Sequence, residues 1–216
     1  TDAVRAALEI ACGEADGLDR KLLAIEASAL FRWMDPSAIL DRAPEAANVF
    51  TASVLDKSRR LDTRLRYFDA LLEKSPARIT ADEWMIVEEV ATLGLQDPFQ
   101  YGENGNRTRS YVERLDGLGK LDVLQRLAAG NAGEQIIQWF EGRYVKANKL
   151  GEAPGAWGAV LRRAGKRNPE ASIVWLHRLA LVNDEAAAEF AALLREKTGS
   201  LPDHGHREPD WKPSPG

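Results

Sequence analysis

The sequence predicts an all-α protein whose successive antiparallel helices form an α-solenoid-like, helical-repeat array. Three observations lead there. Apolar residues recur at helical spacing through most of the 216 residues. Short turns carrying Asn-Pro, Asp-Pro or Asn-Asp punctuate these stretches, as helix caps do. No segment alternates apolar and polar residues with the period of two that a half-buried strand requires. Turns of a few residues force neighbouring helices antiparallel, and each amphipathic stripe needs a neighbour to cover it.

The organising stretch runs from Pro154 to Gly199 and reads as three consecutive helices. Trp157, Val160, Leu161 and Ala164 fall at i, i+3, i+4 and i+7, an apolar stripe beside Arg162, Arg163, Lys166 and Arg167. Asn168-Pro169-Glu170 opens the next helix. Asn caps the exposed N–H groups, Pro fits the first position where its missing N–H costs nothing, and Glu opposes the helix dipole. Asn183-Asp184-Glu185 repeats the signal, and Gly199 supplies a stop.

Upstream, Val4, Leu8 and Ala11 predict a helix over 2–12, and Leu22, Leu23, Ala27, Leu30, Phe31 and Met34 predict another over 16–34. Asp35-Pro36 opens a short helix to about Arg42, and Pro44 a longer one to about Ser58. Leu61, Leu65, Phe68, Leu71 and Leu72 mark a helix from Arg60 to Lys74, with Arg59, Arg60, Arg64 and Arg66 expected on its solvated face. Thr80 and Glu83 have the spacing of a capping box, opening a helix that buries Trp84, Val87, Val90 and Ala91 and ends at Gly94. From Leu95 to Arg109 the polar run QDPFQYGENGNRTR has no apolar period and predicts one long loop. Helices follow from about Ser110, from Leu118 to Ala129, and from Gly133 to Asn148, the last presenting Ile136, Ile137, Phe140 and Tyr144 on one side. Thr80, Asn131 and Asn183 each open the last helix of a group, 51 and 52 residues apart, which suggests three groups of three helices at 44–94, 107–148 and 154–198 within a single helical domain, 1–199. Residues 200–216, with prolines at 202, 209, 213 and 215, form an extended Pro-rich tail whose Trp211 is expected to dock on the chain's own helices or on a partner.

The helical pattern resembles the α-helical solenoids of the HEAT and armadillo type. The segment WLHRLALVNDEAAAEFAALL, Trp175 to Leu194, is similar to the helix-turn-helix junction of TPR and Sel1-like repeats. A second, local resemblance covers AWGAVLRRAGKRNP, which is similar to the Trp, Leu-Arg, Lys and Asn-Pro pattern late in the HEAT-like alkylpurine DNA glycosylases. That family's tandem aromatics and Trp-Asp pair have no counterpart in GLGKLDVLQRL. Asp116 and Asp122 have no aromatic neighbour in sequence and receive no catalytic role.

Composition narrows the functional classes. With 44% hydrophobic and 29% charged residues and a net charge of −4, the chain as a whole has no field that implies nucleic acid or an anionic membrane. Its apolar runs are far shorter than the roughly 20 residues of a membrane span. The single cysteine, Cys12, excludes an internal disulfide framework and reads as a small core residue. The compartment stays open. The chain begins without Met, which suggests a removed signal or an excised fragment. His177 reads as a core or boundary residue, and the acidic group Asp82, Glu83, Glu88 and Glu89 as a solvated surface with one capping member. His204 and His206, with Asp203 and Asp210, have zinc-compatible donors but lie in the tail without a rigid scaffold. No phosphate loop, HExxH or EF-hand spacing occurs, so no catalytic residue, metal or cofactor is expected.

The strongest functional signal is basic. Between Arg143 and Arg178 there are eight basic residues against two acidic ones, a local charge of +6. Arg162 with Lys166, and Arg163 with Arg167, stack like charges at i, i+4, at some cost in stability. Arg143, Lys146, Arg162, Arg163, Lys166, Arg167 and Trp211 are therefore the expected partner-binding residues. The reading is a non-enzymatic protein-interaction module or adaptor that meets an acidic protein surface. The alternative is a DNA-binding or DNA-repair helical-repeat protein, with Trp157 or Tyr144 stacking on bases.

Overall fold

A computed structural model describes residues 35–42, 44–96 and 101–198. Among these residues the regular secondary structure is helical, without strands. The helices expected over 2–12 and 16–34, Cys12, the Gly199 stop, and the tail with His204, His206 and Trp211 lie outside the described residues. The chain divides into two compact units, Thr1–Ile86 and Val87–Gly216, so the first three-helix group anticipated above straddles the division.

In the first unit α1 (Pro36–Arg42), α2 (Ala47–Leu55) and α3 (Leu61–Lys74) are followed by a single turn, α4 (Ala81–Trp84). Pro44–Ala46 forms a 3₁₀ turn before α2. α3 is the common neighbour of α1 and α2. Its apolar positions Leu65, Phe68, Leu71 and Leu72 are buried, as the i, i+3, i+4 spacing requires. The Phe68 ring meets Trp84 edge-on at 5.0 Å, and Phe50 packs against Tyr67 at 4.6 Å. Ser37 Oγ donates to Glu73 Oε2 at 2.7 Å and Lys74 Nζ to Asp41 at 2.9 Å, fastening α1 to the end of α3. Arg64 departs from its expected solvated place: it is buried, and its Nε donates to the Val54 carbonyl at 2.8 Å. The end of α2 leaves carbonyls without helical partners, and a guanidinium on the facing helix supplies the donor. The capping box is present, with the Thr80 N–H donating to Glu83 Oε2 at 2.7 Å, and Glu83 is buried.

The second unit contains α5 (Ile86–Gln96), α6 (Tyr101–Gly117), α7 (Leu121–Ala128), α8 (Gly133–Phe140), α9 (Trp157–Ala164), α10 (Pro169–Ala180) and α11 (Asp184–Thr198). The loop expected over 95–109 is corrected by α6. The helix begins at Tyr101 and absorbs GENGNRTR, with Gly105 and Thr108 buried and Arg109 donating to Gln138 of α8 at 3.1 Å. Intrinsic preference for loop is worth only about 1 kcal/mol per glycine, and packing against α8 outweighs it. α6 ends at Gly119, whose φ of 67° is the left-handed conformation of a helix stop; the Lys120 N–H returns to the Leu115 carbonyl at 2.9 Å. α8 runs on into a π turn over Glu141–Val145, where the Lys146 N–H reaches the Glu141 carbonyl at 2.8 Å.

Two of the three caps that suggested a 51-to-52-residue repeat are present, since Asn183 Oδ1 accepts from the Ala186 N–H at 3.1 Å and Thr80 belongs to the capping box. The middle one is corrected. Ala132 precedes α8, and the Asn131 side chain serves Glu88 and Arg167 instead. Capping therefore lends the repeat no support.

Candidate functional site

The second unit is arranged around α9. Trp157, Gly158, Ala159, Val160, Leu161 and Ala164 are buried, leaving only Arg162 and Arg163 of its eight residues partly exposed. α7, α8, α10 and α11 all pack on it. Gly158 makes the α11 contact possible, because a Cβ there would lie 2.8 Å from Ala186 Cα. The stripe read from sequence is thus buried as expected, and burial on the remaining sides confines solvent access to the arginine edge.

That edge opens into a cleft of about 420 Å³ between α9, α10 and α11. Pro169, Ile173 and Leu193 supply its apolar part, and Arg163, Lys166 and Lys197 its cations. α10 is set against α9 by its cap: Asn168 Oδ1 accepts from the Ala171 N–H at 3.2 Å, and Ser172 Oγ donates to the Leu161 carbonyl. Lys166 and Lys197 are exposed, and among the described residues neither makes an ion pair. Arg163 donates only a long bond, 3.4 Å, to the Ala159 carbonyl of its own helix.

The other expected residues separate. Arg162 lines the cleft but is not an uncompensated charge. Its Nε faces Glu189 Oε2 at 3.1 Å, a charge contact outside hydrogen-bond alignment, and its Nη1 donates to Glu196 Oε1 at 3.2 Å. Arg167 is exposed and donates to Asn131 Oδ1, which ties it to the α7–α8 turn. The same Asn131 donates its backbone N–H to Glu88 Oε1 at 3.2 Å, so Glu88 is a tie between α5 and the α7–α8 turn and not part of a solvated acidic surface. Arg143 and Lys146 lie on the π turn, apart from the cleft; Lys146 pairs with Glu141 at 3.2 Å, and Arg143 sits beside the Tyr144 hydroxyl. Lys197 was missed from sequence. Its only signal was its position one turn after Leu193 on an otherwise ordinary helix end.

Asp116 also takes a place its sequence neighbours do not announce. Trp157 Nε1 donates to its Oδ1 at 2.8 Å and the Tyr144 hydroxyl to its Oδ2 at 3.0 Å. Trp139 stacks on Trp157 with centroids 5.4 Å apart, and Phe140 completes the aromatic surround. Burial, then the charge and hydrogen bond of Asp116, push the Tyr144 hydroxyl up to about 12. Both carboxylate oxygens are occupied by donors from the core, so the group acts as a fastening between α6, the π turn and α9. His177, expected in the core or at its boundary, is exposed and leans on Phe190 at 5.1 Å. Among the described residues no group of three His, Cys, Asp or Glu is placed to hold a metal, and no helix is long and apolar enough to cross a membrane. Neither a family model, nor a curated protein, nor a solved structure matches this chain.

Proposed function

We propose that the chain is a helical, solenoid-like interaction module that binds an acidic segment of another protein in the α9–α10–α11 cleft. The observation that carries this reading is the pairing of an apolar recess formed by Pro169, Ile173 and Leu193 with two exposed lysines, Lys166 and Lys197, that make no ion pair among the described residues. Cations left without partners at the rim of an apolar recess favour a ligand that brings both carboxylates and carbon. The nucleic-acid alternative loses its stacking groups, because Trp157 and Tyr144 are buried with their polar atoms turned to Asp116.

The test is binding of a fluorescent oligoglutamate peptide and of a single-stranded oligonucleotide, each followed by anisotropy across a salt series. The peptide is expected to bind with a shallow salt dependence, and Lys166→Glu/Lys197→Glu to abolish binding. A protein that ignores the peptide and binds the oligonucleotide with a steep, linear log–log salt slope would reverse the order of the two readings.

A further inference from the structure

The cleft contains an internal occupant for one of its cations. Arg162 is held by two carboxylates of α11 that differ in character: Glu189 is 29% exposed at its side chain, whereas Glu196 is 62% exposed and lines the cleft. We infer that the cleft seats one apolar side chain of an acidic segment between Ile173 and Leu193, and that a ligand carboxylate enters by displacing Glu196 from Arg162. This rests on the acidic-partner reading above and specifies its ligand.

The exchange is favourable on each count. Glu196 is the solvent-exposed member of its pair with Arg162, and pairs that reach solvent are weak, so opening this one is cheap. Glu189 stays against the guanidinium, so Arg162 is never left without a counter-charge while Glu196 leaves. The incoming carboxylate replaces one negative charge with another and preserves the charge on Arg162. Lys166 and Lys197, which have no such occupant among the described residues, take the flanking carboxylates. Glu196 thereby sets a threshold: a segment with a single isolated carboxylate gains little, and one with several around an apolar residue gains at Arg162, Lys166 and Lys197 together.

The experiment compares the full chain with Glu196→Gln against two labelled probes, an oligoglutamate peptide with one central leucine and the same peptide with alanine there. Glu196→Gln is expected to tighten the leucine peptide about threefold, the equivalent of an exposed pair. Leucine to alanine in the peptide is expected to weaken binding about tenfold, the loss of a buried aliphatic side chain. Unchanged circular dichroism of Glu196→Gln secures the comparison. Wild-type binding that Glu196→Gln does not tighten, or that ignores the leucine, overturns this inference and leaves the acidic-partner reading standing. No binding of either peptide to either protein overturns that reading itself.

Discussion

Trp157 Nε1 and Asp116 Oδ1 lie 2.8 Å apart although 41 residues separate them in sequence. The bond joins the first turn of the central helix α9 to the last turn of α6, and it gives the buried indole N–H its acceptor. Removing Asp116 takes the acceptor from that donor and from the Tyr144 hydroxyl. Asp116→Ala is expected to cost about 2 kcal/mol, the penalty of an orphaned buried donor, with Asp116→Asn costing less because one acceptor remains. Urea unfolding monitored by tryptophan fluorescence checks both; equal stability of Asp116→Ala and wild type would remove the fastening role.

Tyr144 makes a pH prediction. Its hydroxyl, ordinarily near 10.0, is raised to about 12 in the folded chain by burial first and by Asp116 second. The protonated form is the one the fold prefers. Its stabilising contribution is therefore complete below pH 10 and is lost as pH rises toward 12. Tyrosinate absorbance should show Tyr144 ionising late, together with Tyr67, whose hydroxyl burial also raises, and Asp116→Asn should bring the Tyr144 step down.

Charge reversal should separate the arginines from the lysines at the cleft. Lys166→Glu and Lys197→Glu alter exposed, unpaired groups and should change stability by less than about 0.5 kcal/mol each. Arg162→Glu sets a third carboxylate against Glu189 and Glu196 and should cost about 1 kcal/mol, more than either lysine change. Arg162, Lys166 and Lys197 are thus not interchangeable, and thermal denaturation of the single variants displays the difference.

Gly158→Ala weighs two effects against each other. In a helix interior alanine gains about 1 kcal/mol over glycine. Here the new Cβ would stand 2.8 Å from Ala186 Cα and 3.1 Å from its Cβ, and a backbone atom cannot swing aside as a long side chain can. Overpacking costs about 1 to 3 kcal/mol, so the variant should be destabilised, with α11 separating first in hydrogen exchange.

Gln135 is fully buried, and neither of its amide atoms has a partner among the described residues. Gln135→Met keeps the volume and removes the unpaired groups, and it should raise stability by about 1 kcal/mol. A loss of stability would show that the amide has a partner outside the described residues.

Amino-acid sequence by itself determined the helical class, the Trp157-Val160-Leu161-Ala164 stripe and the Asn168, Asn183 and Thr80–Glu83 starts. Each of those depends on residues within about one turn of each other, where periodicity and capping act. It also marked Arg163 and Lys166 as belonging to an exposed edge. Tertiary structure alone decided the rest. Residues 101–109 are helical because α8 packs against them, despite two glycines and no apolar period. Arg64 is buried because the end of α2 presents a carbonyl to it, Arg162 is neutralised by a helix that begins more than twenty residues later, and Asp116 finds its aromatic partners 28 and 41 residues away. The cleft has the same origin: its lysines come from different helices, and only the packing of α10 and α11 on α9 brings them to one rim. Local signals record what a segment prefers on its own, whereas a side chain's electrostatic partners are set by which segments burial brings together.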